Sequence, residues 1–168
     1  MSKDDWETPE KFFQPINEVM KFTVDVAATW RNSKCEYYYD EEENGLKHTW
    51  KDEVVWCNPP YLRQSHAKWV RKAVNERVPV CLLIPAATST KMWHNKRHGI
   101  WKWADAVLFP KRRISFLQDG MKVGAPRFES AAVFMFLDAL PEEQQKDVYK
   151  FLKNNELGNA VTNLYIGA

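Results

Sequence analysis

No apolar run in this chain approaches the roughly 20 residues a helix needs to cross a bilayer, so length alone excludes a helical membrane span. Cysteine is scarce. Cys35, Cys57 and Cys81 lie far apart, form no CxxC pair and are odd in number. That pattern excludes a disulfide framework, argues against zinc, and predicts reduced thiols inside a cell. The chain opens on polar residues, so no targeting segment is expected. Internal repeats, low-complexity stretches and linkers are also missing, which leaves a single domain over residues 1–168 as the expectation.

Net charge is only +2, but it is unevenly spread. Between Lys91 and Arg127 nine Lys/Arg face Asp105 and Asp119, about +7, so the remainder carries about −5. Such an asymmetry predicts a face for a polyanion. Lys111, Arg112 and Arg113 are its densest cluster, with Lys91, Lys96, Arg97 and Arg127 nearby. Eight tryptophans are present, and most are expected in the core.

Pattern reading gives a coarse order of elements. Thr8 and Pro9 read as N-cap and first residue of a helix running to about residue 21. Residues 22–28 read as a strand carrying one carboxylate, Asp25, which needs a structural partner or a ligand. Residues 37–39 read as a second strand, and the acidic run after it as a solvated turn. Residues 53–57 read as a buried strand and 65–77 as an amphipathic helix. Residues 79–85 are an unbroken apolar run typical of a central parallel strand. A helix within 91–103 would place His94 and His98 one turn apart. With no Cys, Asp or Glu beside them, they are not read as a metal site. Short strands are expected at 104–109, 114–117 and 131–137, a surface helix at 141–153 and a last strand at 160–166. Asp119-Gly120 and Gly124 mark a loop. The alternation predicts an α/β fold with a mostly parallel sheet flanked by helices.

The most informative stretch is Asn58-Pro59-Pro60-Tyr61, directly after the strand at 53–57. Neither proline has an N–H, so the strand must stop there in a stiff corner. In open α/β sheets, ligands bind in the crevice beyond the strand ends. A corner offering an amide, a proline carbonyl and an aromatic face suits a planar, amino-bearing group. The tetrapeptide resembles the [DNS]-P-P-[YFW] motif of amino-methyltransferases.

Further pieces follow in order: Trp6-Glu7-Thr8-Pro9, Asp25-Val26-Ala27-Ala28, residues 32–35, Asn44-Gly45-Leu46 with Trp50, Trp69 to Ala73, Leu83-Ile84-Pro85-Ala86, residues 88–94 and Arg113 to Phe116. Over roughly the first 130 residues the set resembles the phage-type Dam DNA N6-adenine methyltransferases. That resemblance implies a Rossmann-like fold that uses S-adenosyl-L-methionine to methylate the N6 amino group of adenine in double-stranded DNA. It implies Asn58, Pro59, Pro60 and Tyr61 as the catalytic corner, with direct methyl transfer to an extruded base. Thr8, Pro9, Asp25, Ala27, Ala28 and Asn44 fall where the cofactor is held. Lys91, Arg97, Lys111, Arg112 and Arg113 would meet DNA, within a small contacting region at 91–127, and Phe116 is a candidate stacking surface. A phage or prophage gene acting in bacterial cytoplasm is the implied setting. The glycine-rich cofactor turn of other methyltransferases is replaced by Ala27-Ala28. Alternatives are methylation of cytosine N4 or of a protein glutamine amide, and a catalytically silent DNA-binding protein with this fold.

Overall fold

The computed structural model describes residues 6–61, 65–123 and 127–162. Nine strands and five α-helices are assigned among them, in the order α1 (Glu10–Met20), β1 (Val24–Asp25), β2 (Tyr37–Tyr38), β3 (Val55–Cys57), α2 (His66–Glu76), β4 (Val80–Pro85), α3 (Lys91–His94), α4 (Ile100–Trp103), β5 (Ala104–Pro110), β6 (Leu117–Gln118), β7 (Met121–Lys122), β8 (Ser130–Met135), α5 (Glu142–Asn154) and β9 (Gly158–Thr162). Seven strands form one sheet in the order β2-β1-β3-β4-β8-β5-β9, and β6 pairs with β7 in a separate hairpin.

The pairs β1–β2, β1–β3 and β3–β4 are parallel. β8 runs against both β4 and β5, and β9 runs against β5. β5 therefore points the same way as β1 to β4, and the sheet is mostly parallel, as expected. The apolar run of β4 is not flanked by parallel strands on both sides. It sits at the seam, parallel to β3 and antiparallel to β8. Its hydrophobicity reflects burial on both faces, which either pairing can supply.

Side chains of successive strand residues alternate between the faces of the sheet. Val80, Leu82 and Ile84 join one apolar cluster with residues of α2, Trp93 and Ile100. Cys81 and Leu83 join the other, with Phe12, Phe13 and Ile16 of α1 and Val148 and Leu152 of α5. Helices thus cover both faces, giving three layers.

Several local expectations are corrected. Pro9, not Thr8, is the N-cap of α1, and its carbonyl accepts the first N–H groups, from Phe12 at 2.9 Å and Phe13 at 3.1 Å. Thr8 is instead buried. The helix expected across 91–103 is two four-residue helices broken at residues 95–99, so His94 and His98 do not share a helix face. The His94 ring Nε2 lies 2.7 Å from the Thr88 carbonyl. Ile114 and Phe116 are core residues outside any strand, and only Leu117–Gln118 of that stretch is extended and paired. The final strand is Gly158–Thr162. The part of it expected at 163–166, and Gly124, lie outside the described residues.

Candidate active site

The chain leaves β1, forms β2 on one flank, and returns to form β3 on the other. Connections diverge at this point, so a crevice opens beyond the carboxyl ends of β1 and β3. A cleft of about 270 Å³ lies there. Val26 to Thr29 follow β1 along one wall, Asn58 to Pro60 follow β3, and Asn44 and Gly45 close the side. Trp6, Asn32, Tyr39, Asp40, Glu41 and Trp69 complete the lining.

The Asn58 amide has a defined orientation. Its Nδ2 donates to the Trp6 carbonyl at 2.8 Å. That contact turns the opposite atom, Oδ1, away from Trp6, and Oδ1 is buried with no hydrogen-bond donor among the described residues. A buried unmatched acceptor costs about 1–3 kcal/mol, so a donor from outside the protein, a water or a ligand, is expected to meet it. The Pro59 carbonyl next to it accepts no hydrogen bond among the described residues. The Pro60 carbonyl is taken by the Ser65 hydroxyl at 2.6 Å, which ties the corner down.

Tyr61 lines neither this cleft nor the small hollow behind it, and sits instead in an aromatic cluster. Its ring lies 5.0 Å from Phe128 at an interplanar angle of 19°, and 5.1 Å from Trp6 at 31°. His66 and Phe116 meet it edge-on, at 5.0 and 5.7 Å. Burial pushes the Tyr61 phenol up and pushes the His66 imidazole down to about 4, leaving both neutral at physiological pH. Phe116 has no exposed surface. It supports Trp6 and Tyr61 from beneath and presents no face to DNA in this conformation.

Asp25 is used by its own loop. One carboxylate oxygen accepts the Ala27 N–H at 3.3 Å, and the other accepts the Lys34 N–H at 3.0 Å. Burial raises its pKa to about 6, partly offset by those two N–H groups. Asp25 and Thr8 do not line the main cleft. They face a hollow of about 10 Å³ behind it, shared with Trp56 and Asn58. That is room for about one water, and Thr8 Oγ1 is buried with no partner among the described residues. Pro9 lies on neither cavity, whereas Ala27 and Ala28 line the cleft directly.

The glycine missing from the β1 loop is supplied by another segment. A Cβ on Gly45 would lie 2.1 Å from the Val26 carbonyl oxygen, so only glycine lets this segment pack on the end of β1. The Trp50 indole N–H holds the Gly45 carbonyl at 2.9 Å. Asn44 adopts a left-handed φ of 58° and its Oδ1 accepts the Leu46 N–H at 3.2 Å, so its acceptor is spent on the turn. Asp40 and Glu41 were not anticipated. Their acidic run reads as a solvated turn, but it begins just past the carboxyl end of β2, and that position was the available signal.

Four of the five basic residues share this edge of the sheet. Lys91 follows the end of β4, and Lys111 to Arg113 follow the end of β5, which points the same way. Arg97 does not: its carbonyl accepts the Trp103 indole N–H at 2.7 Å, which sets it beside the start of β5, at the opposite edge. All five are exposed. Lys111 pairs with Glu156 at 3.4 Å and Arg113 with Glu129 at 2.7 Å, while Arg112 has no ion pair among the described residues. These exposed pairs are worth little and can be traded for phosphate. No described helix is long and apolar enough to cross a membrane.

Residues 1–159 match the family described as DNA N-6-adenine-methyltransferase (Dam). Over 112 residues the chain is 34% identical to the DNA N-6-adenine-methyltransferase of Escherichia phage T1, which covers 61% of this chain and 46% of that protein. Over 65 residues it is 35% identical to the Escherichia coli (strain K12) protein named "Putative methyltransferase YfdM", covering 34% of this chain and 71% of that one. The match to the phage relative thus spans about half of that protein's length.

Proposed function

Because the chain belongs to the DNA N-6-adenine-methyltransferase (Dam) family, we propose that it transfers a methyl group from S-adenosyl-L-methionine to N6 of an adenine extruded from double-stranded DNA. One observation carries the reading: the buried, unmatched Oδ1 of Asn58, aimed by the Trp6 carbonyl at the end of β3.

The adenine N6 lone pair is delocalised into the ring and needs aiming rather than covalent activation. Asn58 Oδ1 and the Pro59 carbonyl accept its two hydrogens. This draws the nitrogen towards tetrahedral geometry and frees its lone pair on the side of the cleft. Acceptors of this kind, fixed before the reaction, need not reorganise as charge develops. The proton released from N6 passes to water, since an amide oxygen is too weak a base to keep it. Methylation of N6 requires an electrophilic methyl, which the sulfonium of S-adenosyl-L-methionine supplies.

The residues present fit that donor. Backbone at Val26 to Thr29 and the Asn44-Gly45 wall offer a narrow slot. The Asp40 and Glu41 carboxylates at its rim suit ribose hydroxyls. Thr8 and Asp25 line the hollow behind the slot, Pro9 caps α1, and the Asn44 amide N–H groups remain to donate at the cleft wall.

Extruding a base costs roughly a few kcal/mol. Tyr61 and its stacked neighbours provide an aromatic wall against which the base recovers part of that cost. Lys91 and Lys111 to Arg113 hold the phosphates, which sets affinity and orientation but not sequence. The phage relative is consistent with action in the cytoplasm of a bacterial host.

The same corner chemistry serves cytosine N4 and glutamine amides, and the family assignment favours adenine. The test is methylation of duplex DNA with radiolabelled donor, followed by nucleoside analysis. Wild type is expected to yield N6-methyladenine. Asn58→Ala is expected to lose at least about 10²-fold in kcat, the scale of one preorganised polar group, while still binding the donor by calorimetry. Full activity in Asn58→Ala would refute the assignment.

A further inference from the structure

Exposed large apolar side chains are few, and they are not scattered at random. Among the described residues they are Trp30, Tyr37, Met121, Val123 and Val161, with Trp30 73% and Met121 70% exposed. Trp30 belongs to the loop after β1, and Met121 and Val123 to the β6–β7 hairpin. An ion pair of 3.3 Å between Arg31 and Asp119 shows that these two loops are neighbours.

Each loop is stiff and tied to the cleft. In the first, Asn32 Oδ1 accepts the Thr29 N–H at 2.6 Å and its hydroxyl at 3.1 Å, closing the loop with Trp30 at its tip. Thr29 and Asn32 themselves line the cleft. The Arg31 guanidinium stands 4.9 Å over the Trp30 ring and steadies it. In the second, Asp119 and Gly120 make the turn with positive φ, and Leu117 exchanges hydrogen bonds of 2.8 and 2.9 Å with Glu7. Glu7 directly follows Trp6, the residue that orients Asn58.

We propose that Trp30, with Met121 on the neighbouring loop, forms an apolar wedge that enters the base stack of duplex DNA next to the target adenine. The inference rests on the DNA-methylating reading above and adds the step that opens the duplex. Charge complementarity selects the occupant. The hairpin carries Lys122, Arg127 follows it, and Arg31 stands over Trp30, against Asp119 at the hairpin turn. A polyanion is drawn to this rim, and the apolar groups exposed there meet the one apolar part of that polyanion, the stacked bases. Side chains inserted between base steps offset the unstacking that extrusion requires. Cation–base stacking by Arg31 would extend the same surface.

The experiment compares wild type, Trp30→Ala, Trp30→Phe and Met121→Ala on the site that modified-base sequencing of DNA from an expressing strain defines. Methylation rates are measured on a fully paired duplex and on one whose target adenine faces an abasic position, where extrusion is cheap. Trp30→Ala is expected to lose at least about tenfold in kcat/KM on paired duplex and to come within about threefold of wild type on the unopposed adenine. Met121→Ala should lose less, in the same pattern, and Trp30→Phe should keep most activity. Donor affinity by calorimetry should be unchanged in all three. Equal loss on both duplexes, or no loss on paired duplex, overturns the wedge while leaving the methylation reading standing. A wild type that methylates neither duplex overturns both.

Discussion

Replacing Gly45 by alanine tests how the cleft is built. The new methyl group would lie 2.1 Å from the Val26 carbonyl oxygen and 3.1 Å from the carbonyl carbon. Reaching ordinary contact at 3.4 Å means parting the two segments by about 1.3 Å. Neither yields easily. Val26 donates its N–H to the Trp56 carbonyl at 3.1 Å, which holds it to β3. Gly45 is held by Trp50, whose own N–H is bound by Glu76 at 2.8 Å. Glu76 is in turn paired with Lys72. Overpacking of this kind costs about 1–3 kcal/mol of stability. The displacement falls between two walls of the cleft, so donor affinity should drop at least about tenfold; misplacement by ~1 Å commonly costs more than that in rate. Gly120→Ala is the control. Its φ of 73° makes alanine strained, but nothing lies within 4 Å of the added carbon. It should cost about 1–2 kcal/mol through backbone strain alone and leave donor affinity unchanged. Calorimetric titration with S-adenosyl-L-methionine, alongside urea denaturation, separates the two effects. A Gly45→Ala protein with wild-type affinity and stability would refute the close-packing argument.

Asp25 gives a pH signature. Its folded pKa is raised from 3.8 to about 6 by burial, so the folded state prefers the protonated form. The associated stability is fully present below about pH 4 and is lost as pH rises through 6, a change of about 3 kcal/mol. The stability difference between wild type and Asp25→Asn, followed by denaturation from pH 4 to 7, should move by that amount in favour of the variant; a flat difference would exclude the titration. Arg112→Ala should lower the slope of log binding constant against log salt by about 1 and weaken binding evenly across sequences; an unchanged slope removes Arg112 from the phosphate contacts.

Local chemistry determined the parts that were legible beforehand. Two prolines after an apolar run force a corner wherever they occur, so the Asn58 to Tyr61 bend and its place at a strand end followed from residue types alone. Apolar periodicity placed α1 and α2, and the unbroken run of β4 marked a strand buried on both faces. What that run does not encode is the direction of its neighbours, which depends on β8, some 50 residues later. Other features arise only between distant segments. The Trp6 carbonyl fixes how the Asn58 amide is turned from 52 residues away. Gly45 replaces the absent glycines by packing on Val26 from outside, a contact no local pattern announces. Phe116 looked available for stacking, yet Trp6 and Tyr61 cover it, and Asp40 looked merely solvated although β2 delivers it to the cleft. Backbone stiffness and hydrophobic period are properties of neighbouring residues, while orientation, burial and cavity shape are set by whichever residues the folded chain brings alongside.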